Sequence, residues 1–181
     1  MRAVIADALT ASRILLAMLL AVAIAMDSLP RAVLILVIAW LTDLLDGRLA
    51  RAADEPTRLG DWDFRVDVGL GVAILVGLMM DGVASSWLVI AAIAVLAGLT
   101  IMTGNPAPSM LLLAFAYGWF LWILLDRRPS LWWLPFASIG VLLIIDWKRF
   151  FRVILPAFFR GLSTVSQSEN PDPAPVLDRW A

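Results

Sequence analysis

Long apolar blocks alternate with short polar breaks along most of this chain. The blocks cover residues 9–27, 32–51, 63–80, 84–102, 107–125 and 130–146. Each is close to the ~20 residues that a helix needs to cross a bilayer. The breaks fall at Asp27-Ser28-Leu29-Pro30, at 52–62, at Asp81-Gly82, at Gly104-Asn105-Pro106 and from Asp126 to Pro129. They are rich in the residues that end helices. A backbone N–H or C=O in lipid has no water to turn to, so spanning segments of this kind are helices. The pattern predicts an all-α integral membrane protein of about six transmembrane helices. Residues 147–162 set basic and aromatic side chains around Pro156 and read as an interfacial segment that completes one membrane domain over 1–162. The polar tail 163–181 holds three prolines and reads as disordered.

Composition agrees. The chain is 62% hydrophobic and 16% charged, with a mean hydropathy of +0.90, more apolar surface than a soluble domain of 181 residues can hide. Residues 82–125 hold no charge, room for two crossings and a turn. The first apolar block is one of many and lacks a convincing cleavage site, so it does not read as a cleavable signal peptide. A net charge of −1 points to no polyanion and hence to no nucleic acid. There is no cysteine for thiol chemistry and no histidine for an imidazole base or an ordinary zinc site. Acid–base or metal chemistry therefore rests on carboxylates.

Lys and Arg set the orientation. With the N-terminus inside, eleven basic residues are cytoplasmic: Arg2, Arg13, Arg48, Arg51, Arg58, Arg65, Lys148, Arg149, Arg152, Arg160 and Arg179. Three, Arg31, Arg127 and Arg128, are outside. Both termini are then cytoplasmic. Trp62 and Trp147 mark inner helix ends, and Trp87, Trp122, Trp132 and Trp133 outer ends, as an aromatic belt requires.

Seven of the fifteen acidic residues crowd into residues 43–67: Asp43, Asp46, Asp54, Glu55, Asp61, Asp63 and Asp67. Asp54, Glu55 and Asp61 fit a solvated loop. The other four do not. The eleven residues between Arg31 and Asp43 are too few to cross a bilayer at about 1.5 Å each, so the second helix must run on past Asp43 and Asp46. The third span is likewise too short unless it starts near Asp63 and includes Asp67. Asp43 and Asp46 are i, i+3, and Asp63 and Asp67 are i, i+4, so each pair shares a helix face. A short connection makes the two helices antiparallel neighbours, and the four carboxylates converge. Charges below the membrane surface are costly and mark a pathway or a site. Three readings stay open on this ground: a hard divalent cation such as Mg²⁺, an ion pathway, or salt bridges to Arg48, Arg51 and Arg65.

The stretch Asp43-Leu-Leu-Asp46-Gly47-Arg48-Leu49-Ala50-Arg51, then eight residues, then Gly60, then Asp63-x-x-x-Asp67, resembles the CDP-alcohol phosphotransferase pattern D-x-x-D-G-x-x-A-R-x8-G-x3-D-x3-D. Leu9-Thr10-Ala11-Ser12-Arg13 resembles the L-T-x-x-R that often opens the family's first span. One departure stands out. The family's last two aspartates would fall on Phe64 and Val68, whereas here Asp63 and Asp67 come one residue early with their mutual spacing kept.

The resemblance implies an enzyme of phospholipid synthesis with a cytoplasm-facing active site in a bacterial-type cell membrane. It would move a phosphatidyl or phosphoalcohol group from a CDP-linked lipid donor, CDP-diacylglycerol first among them, to a small alcohol with release of CMP. On that resemblance Asp43, Asp46, Asp63 and Asp67 hold Mg²⁺ or Mn²⁺, and Asp67 is also the general base. Gly47, Ala50, Arg51 and Gly60 serve the CDP moiety. Arg13 has two readings, a reach to the pyrophosphate or a snorkel to the surface. Beside that resemblance, the absence of basic residues from 82–125, and the turn Gly104-Asn105-Pro106-Ala107-Pro108-Ser109, lean slightly towards an uncharged or zwitterionic acceptor, while Arg58, Arg65, Lys148 or Arg149 could serve a phosphate. That turn has a plainer reading as a helix–helix corner. The reading leaves room for a homodimer. A transporter with an Asp-lined cation path, and a silent relative that only binds, remain as alternatives.

Overall fold

Periodicity within the apolar blocks, more than their limits, decides how the helices pack. The computed structural model describes residues 2–52, 59, 62–149, 151, 152, 155, 156 and 159. Gly60, Asp61, the tail 163–181 and much of 147–162 lie outside the described residues. Among those described there are six α-helices and no strand: α1 Arg2–Ala25, α2 Leu29–Arg51, α3 Asp63–Met80, α4 Ser86–Thr103, α5 Ala107–Arg127 and α6 Trp133–Arg149, with a 3-10 turn at Pro129–Leu131 before α6. Three stretches are long and apolar enough to cross a membrane, Ala3–Ala25, Ser86–Thr103 and Ala107–Arg127. α2 and α3 are 23 and 18 residues long but carry the charges of the carboxylate cluster.

α1 begins seven residues before the expected start. Its buried face runs through Ala3, Ala6, Thr10, Arg13, Ala17, Leu20 and Ile24, steps of three and four that trace one side of a helix. Asp7 interrupts the apolar run in sequence but does not lie on this stripe. Its Oδ1 accepts a 2.9 Å hydrogen bond from the Leu59 N–H, which ties α1 to the α2–α3 connection.

α1 packs on both α2 and α3, α5 packs on α3, α4 lies against α5, and α6 touches α2. The core between them is aliphatic, with Leu20, Leu36, Ile74, Leu75, Leu112 and Phe120 fully buried. Glycines allow the closest approaches, as in membrane bundles generally. A Cβ on Gly77 would stand 2.8 Å from Ile24 Cβ and 2.9 Å from the Ala21 carbonyl oxygen of α1. A Cβ on Gly71 would stand 2.8 Å from Leu113 Cδ2 of α5.

At the end away from the carboxylate cluster, Arg127 Nη1 of α5 donates to Asp27 Oδ1 at 3.1 Å and Asp81 Oδ2 at 3.0 Å. It thereby joins the α1–α2 turn, the end of α3 and the end of α5. The Gly104–Ser109 turn is built as a corner. Gly104 closes α4 with φ +64, Asn105 Oδ1 accepts from Ala107 N–H at 3.0 Å, and Thr100 and Ser109 hydroxyls meet at 2.7 Å.

Candidate active site

Asp43 and Asp46 lie in the last turns of α2, and Asp63 and Asp67 in the first two turns of α3. α2 and α3 are not packed on each other as direct neighbours; each packs on α1, and the four carboxylates meet around that helix. The third wall is α1, and its Arg13 is the hub. Nη1 donates to Asp43 Oδ1 and to Asp67 Oδ1, each at 2.6 Å. Nη2 donates to Asp46 Oδ2 at 2.7 Å and to Asp63 Oδ1. Thr10, one turn earlier on the same face, donates to Asp46 Oδ2 at 2.9 Å.

This geometry corrects the surface reading of Arg13. Its side chain is 0% exposed, three turns inside α1 instead of near a helix end. It also replaces Arg48, Arg51 and Arg65 as the salt-bridge partner of the cluster among the described ion pairs. Thr10 and Arg13 are the threonine and arginine of Leu9-Thr10-Ala11-Ser12-Arg13, and both face the carboxylates, while Ser12 donates to the Leu9 carbonyl oxygen.

Asp63 and Asp67, not Phe64 and Val68, meet Arg13, so α3 starts in the register that keeps both carboxylates on the cluster. Asp46 is 3% exposed, whereas Asp43, Asp63 and Asp67 open partly to the mouth. One guanidinium facing four carboxylates leaves the cluster short of positive charge. Oxygens of Asp43, Asp46 and Asp63 lie within 4.8 Å of one another. Asp46 Oδ1 is buried and meets no donor among the described residues. An all-oxygen donor set with an orphaned buried acceptor fits a hard divalent cation. Asp67 stands beside this trio, joined to it through Arg13.

Gly47, Ala50 and Arg51 continue the face of α2 that carries Asp43 and Asp46, at helical steps of three and four. A Cβ on Gly47 would meet Arg51 Nη1 at 3.3 Å, so the guanidinium lies across the glycine. The described structure thus brings together Asp43, Asp46, Asp63, Asp67 and Arg13, with Gly47, Ala50 and Arg51 alongside.

The model of the family named CDP-alcohol phosphatidyltransferase matches residues 3–107, more than half of the chain. The chain belongs to the CDP-alcohol phosphatidyltransferase family. No curated protein and no solved structure matches it. The matched segment holds all four carboxylates, Thr10 and Arg13. Membership makes the protein a phosphotransferase family member of phospholipid synthesis, and its apolar helices make it a membrane protein.

Two hollows adjoin the cluster. A cavity of about 190 Å³ between α2, α3 and α5 is lined by Trp40, Asp43, Asp67, Leu70, Leu113 and Tyr117, with Ala39. A groove of about 410 Å³ between α1 and α3 has small residues along it, Ala17, Ala21, Gly69 and Ala73, and Trp62 and Arg65 at the end nearer the carboxylates. Arg65 stacks over the Trp62 ring at 4.9 Å. Tyr117 was not singled out by the sequence. It is a lone polar tip in an apolar helix, and nothing local marks it.

Proposed function

We propose that this protein transfers a phosphatidyl group from CDP-diacylglycerol to the hydroxyl of a small alcohol, releasing CMP, in a metal-dependent reaction at the cytoplasmic face of a bacterial-type membrane. The observation that carries the reading is the convergence of four carboxylates from α2 and α3 on Arg13 within the family-matched segment. Asp67 acts as general base and takes the hydroxyl proton. The alcohol oxygen bonds to the phosphorus next to the diacylglycerol, and the bond from that phosphorus to the CMP oxygen breaks.

Asp43, Asp46 and Asp63, with Asp67 beside them, would hold Mg²⁺ or Mn²⁺. The ion supplies charge neutralisation to the pyrophosphate and so a better leaving group. Gly47, Ala50, Arg51 and Gly60 form the surface for the cytidine nucleotide. Glycine at 47 lets the ligand come close to the α2 backbone. Arg13 holds the carboxylates at one level and presents their shared face. The α1–α3 groove suits an acyl chain of the donor, with Arg65 at the height of a phosphate and Trp62 at the interface.

An Asp-lined transport path fits less well. The carboxylates gather at one end, and the fully buried Leu20, Leu36, Ile74 and Leu75 fill the bundle beyond them. The test is CMP release by the purified protein in lipid nanodiscs. CMP should form from CDP-diacylglycerol plus an alcohol only with Mg²⁺ or Mn²⁺ present. Full activity after exhaustive chelation sinks the metal assignment.

A further inference from the structure

We infer that the cavity between α2, α3 and α5 seats the acceptor, and that it selects a small alcohol carrying no phosphate, with Tyr117 as a specificity-determining residue. The inference rests on the reaction proposed above. Asp67 forms one wall of the cavity, so a hydroxyl lodged there meets the group proposed as its base.

The chemistry of the lining sets the guest's class. Two carboxylates, an indole, a phenol and aliphatic side chains make up the wall, and no cation is among the described lining residues. Carboxylates accept hydrogen bonds from hydroxyl or ammonium donors. A phosphate would add negative charge beside them, where Arg13 is already engaged on all four carboxylates and a metal held by the cluster is committed to the donor pyrophosphate. Trp40 and Tyr117 pack edge to face, 5.6 Å between centroids at 70°, and so offer a fixed aromatic wall. At about 190 Å³ the cavity falls below the ~300 Å³ where pockets for drug-sized ligands begin. A short polyol or amino alcohol suits that space.

The position of Tyr117 follows from helix packing. Asp67 and Gly71 are i, i+4 on α3, and Leu113 and Tyr117 are i, i+4 on α5. Each pair therefore shares a face. Leu113 sits in the space that Gly71 leaves by lacking a Cβ, and this close contact brings Tyr117 into the wall of the same cavity as Asp67. Tyr117 is the one tyrosine of the chain and lies beyond the matched residues 3–107, so it is no part of the shared motif.

The experiment uses the full-length protein in nanodiscs with CDP-diacylglycerol and Mg²⁺. CMP release is followed with glycerol, inositol, serine and the phosphate esters of the two polyols. An unphosphorylated alcohol should exceed its own phosphate ester by about tenfold or more in kcat/KM. Tyr117→Phe keeps the ring and the fold, and should raise the acceptor KM roughly three- to tenfold, the worth of one hydrogen bond. The donor KM should not move. Preference for a phosphate ester overturns the inference and leaves the proposed reaction standing. So does a Tyr117→Phe variant whose acceptor KM is unchanged or whose donor KM rises instead. No CMP from any alcohol overturns the reaction and this inference with it.

Discussion

Asp67 is where register and chemistry meet. Phe64 and Val68 can neither bind a cation nor accept a proton, while Asp63 and Asp67 both meet Arg13. Asp67→Asn keeps size and polarity but removes the base. Turnover under saturating metal should fall by ~10² or more. Asp61→Asn, read as a loop substitution, should change turnover little. Steady-state CMP release from the two variants decides the matter, and the reverse result would reassign the catalytic roles. The four carboxylates were legible because spacing alone put each pair on a helix face. The depth of Arg13 was not. Asp7 broke the apolar run, and the start of α1 was placed too late for Arg13 to be interior. The signal existed in the stripe Ala3, Ala6, Thr10, Arg13, Ala17, where two polar residues occupy positions of a buried face. Tyr117 gave no such sign, because its meaning depends on which helix α5 packs against.

Among the elements, α3 packs on α1, α5 and α4, and two of its glycines allow the closest of these approaches. At Gly77 an added Cβ meets backbone of α1, which cannot rotate out of the way. Gly77→Ala should cost about 1–3 kcal/mol of overpacking. Gly98→Ala on α4 meets nothing within 4 Å and should stay within about 0.5 kcal/mol of the parent. Thermal unfolding in one detergent compares them, and equal shifts would show that close approach at Gly77 matters little. Five of the six helices begin within three residues of the apolar blocks that announced them, because Pro, Gly and Asp end helices in lipid as in water. Which helix lies beside which could not be read that way. An apolar surface looks alike in sequence whether it meets lipid or another helix. α4, where Val89 alone is buried, and α5, with Phe120 and Leu112 fully buried, have similar composition.

For the whole molecule, the eleven-to-three split of basic residues predicts a sidedness that labelling can read. Cysteines introduced at Glu55 and Ser168 should react with an impermeant reagent only from the cytoplasmic side, and one at Arg128 only from outside. Glu55 and Arg128 reacting from the same side would refute the six-span arrangement. The two arginine hubs have a further consequence for how the bundle moves. Arg13 ties α1, α2 and α3 at the carboxylate end, and Arg127 ties the other ends of the same helices. Among the described ion pairs α5 shares only the second of these ties, and near the carboxylates it meets the other helices by packing, Leu113 on Gly71 and Tyr117 on Trp40. The two helices that carry the carboxylates and the one that carries Arg13 are thus a frame pinned at both ends. The spacing of the four carboxylates is thereby set by the frame itself and need not change as a guest comes and goes.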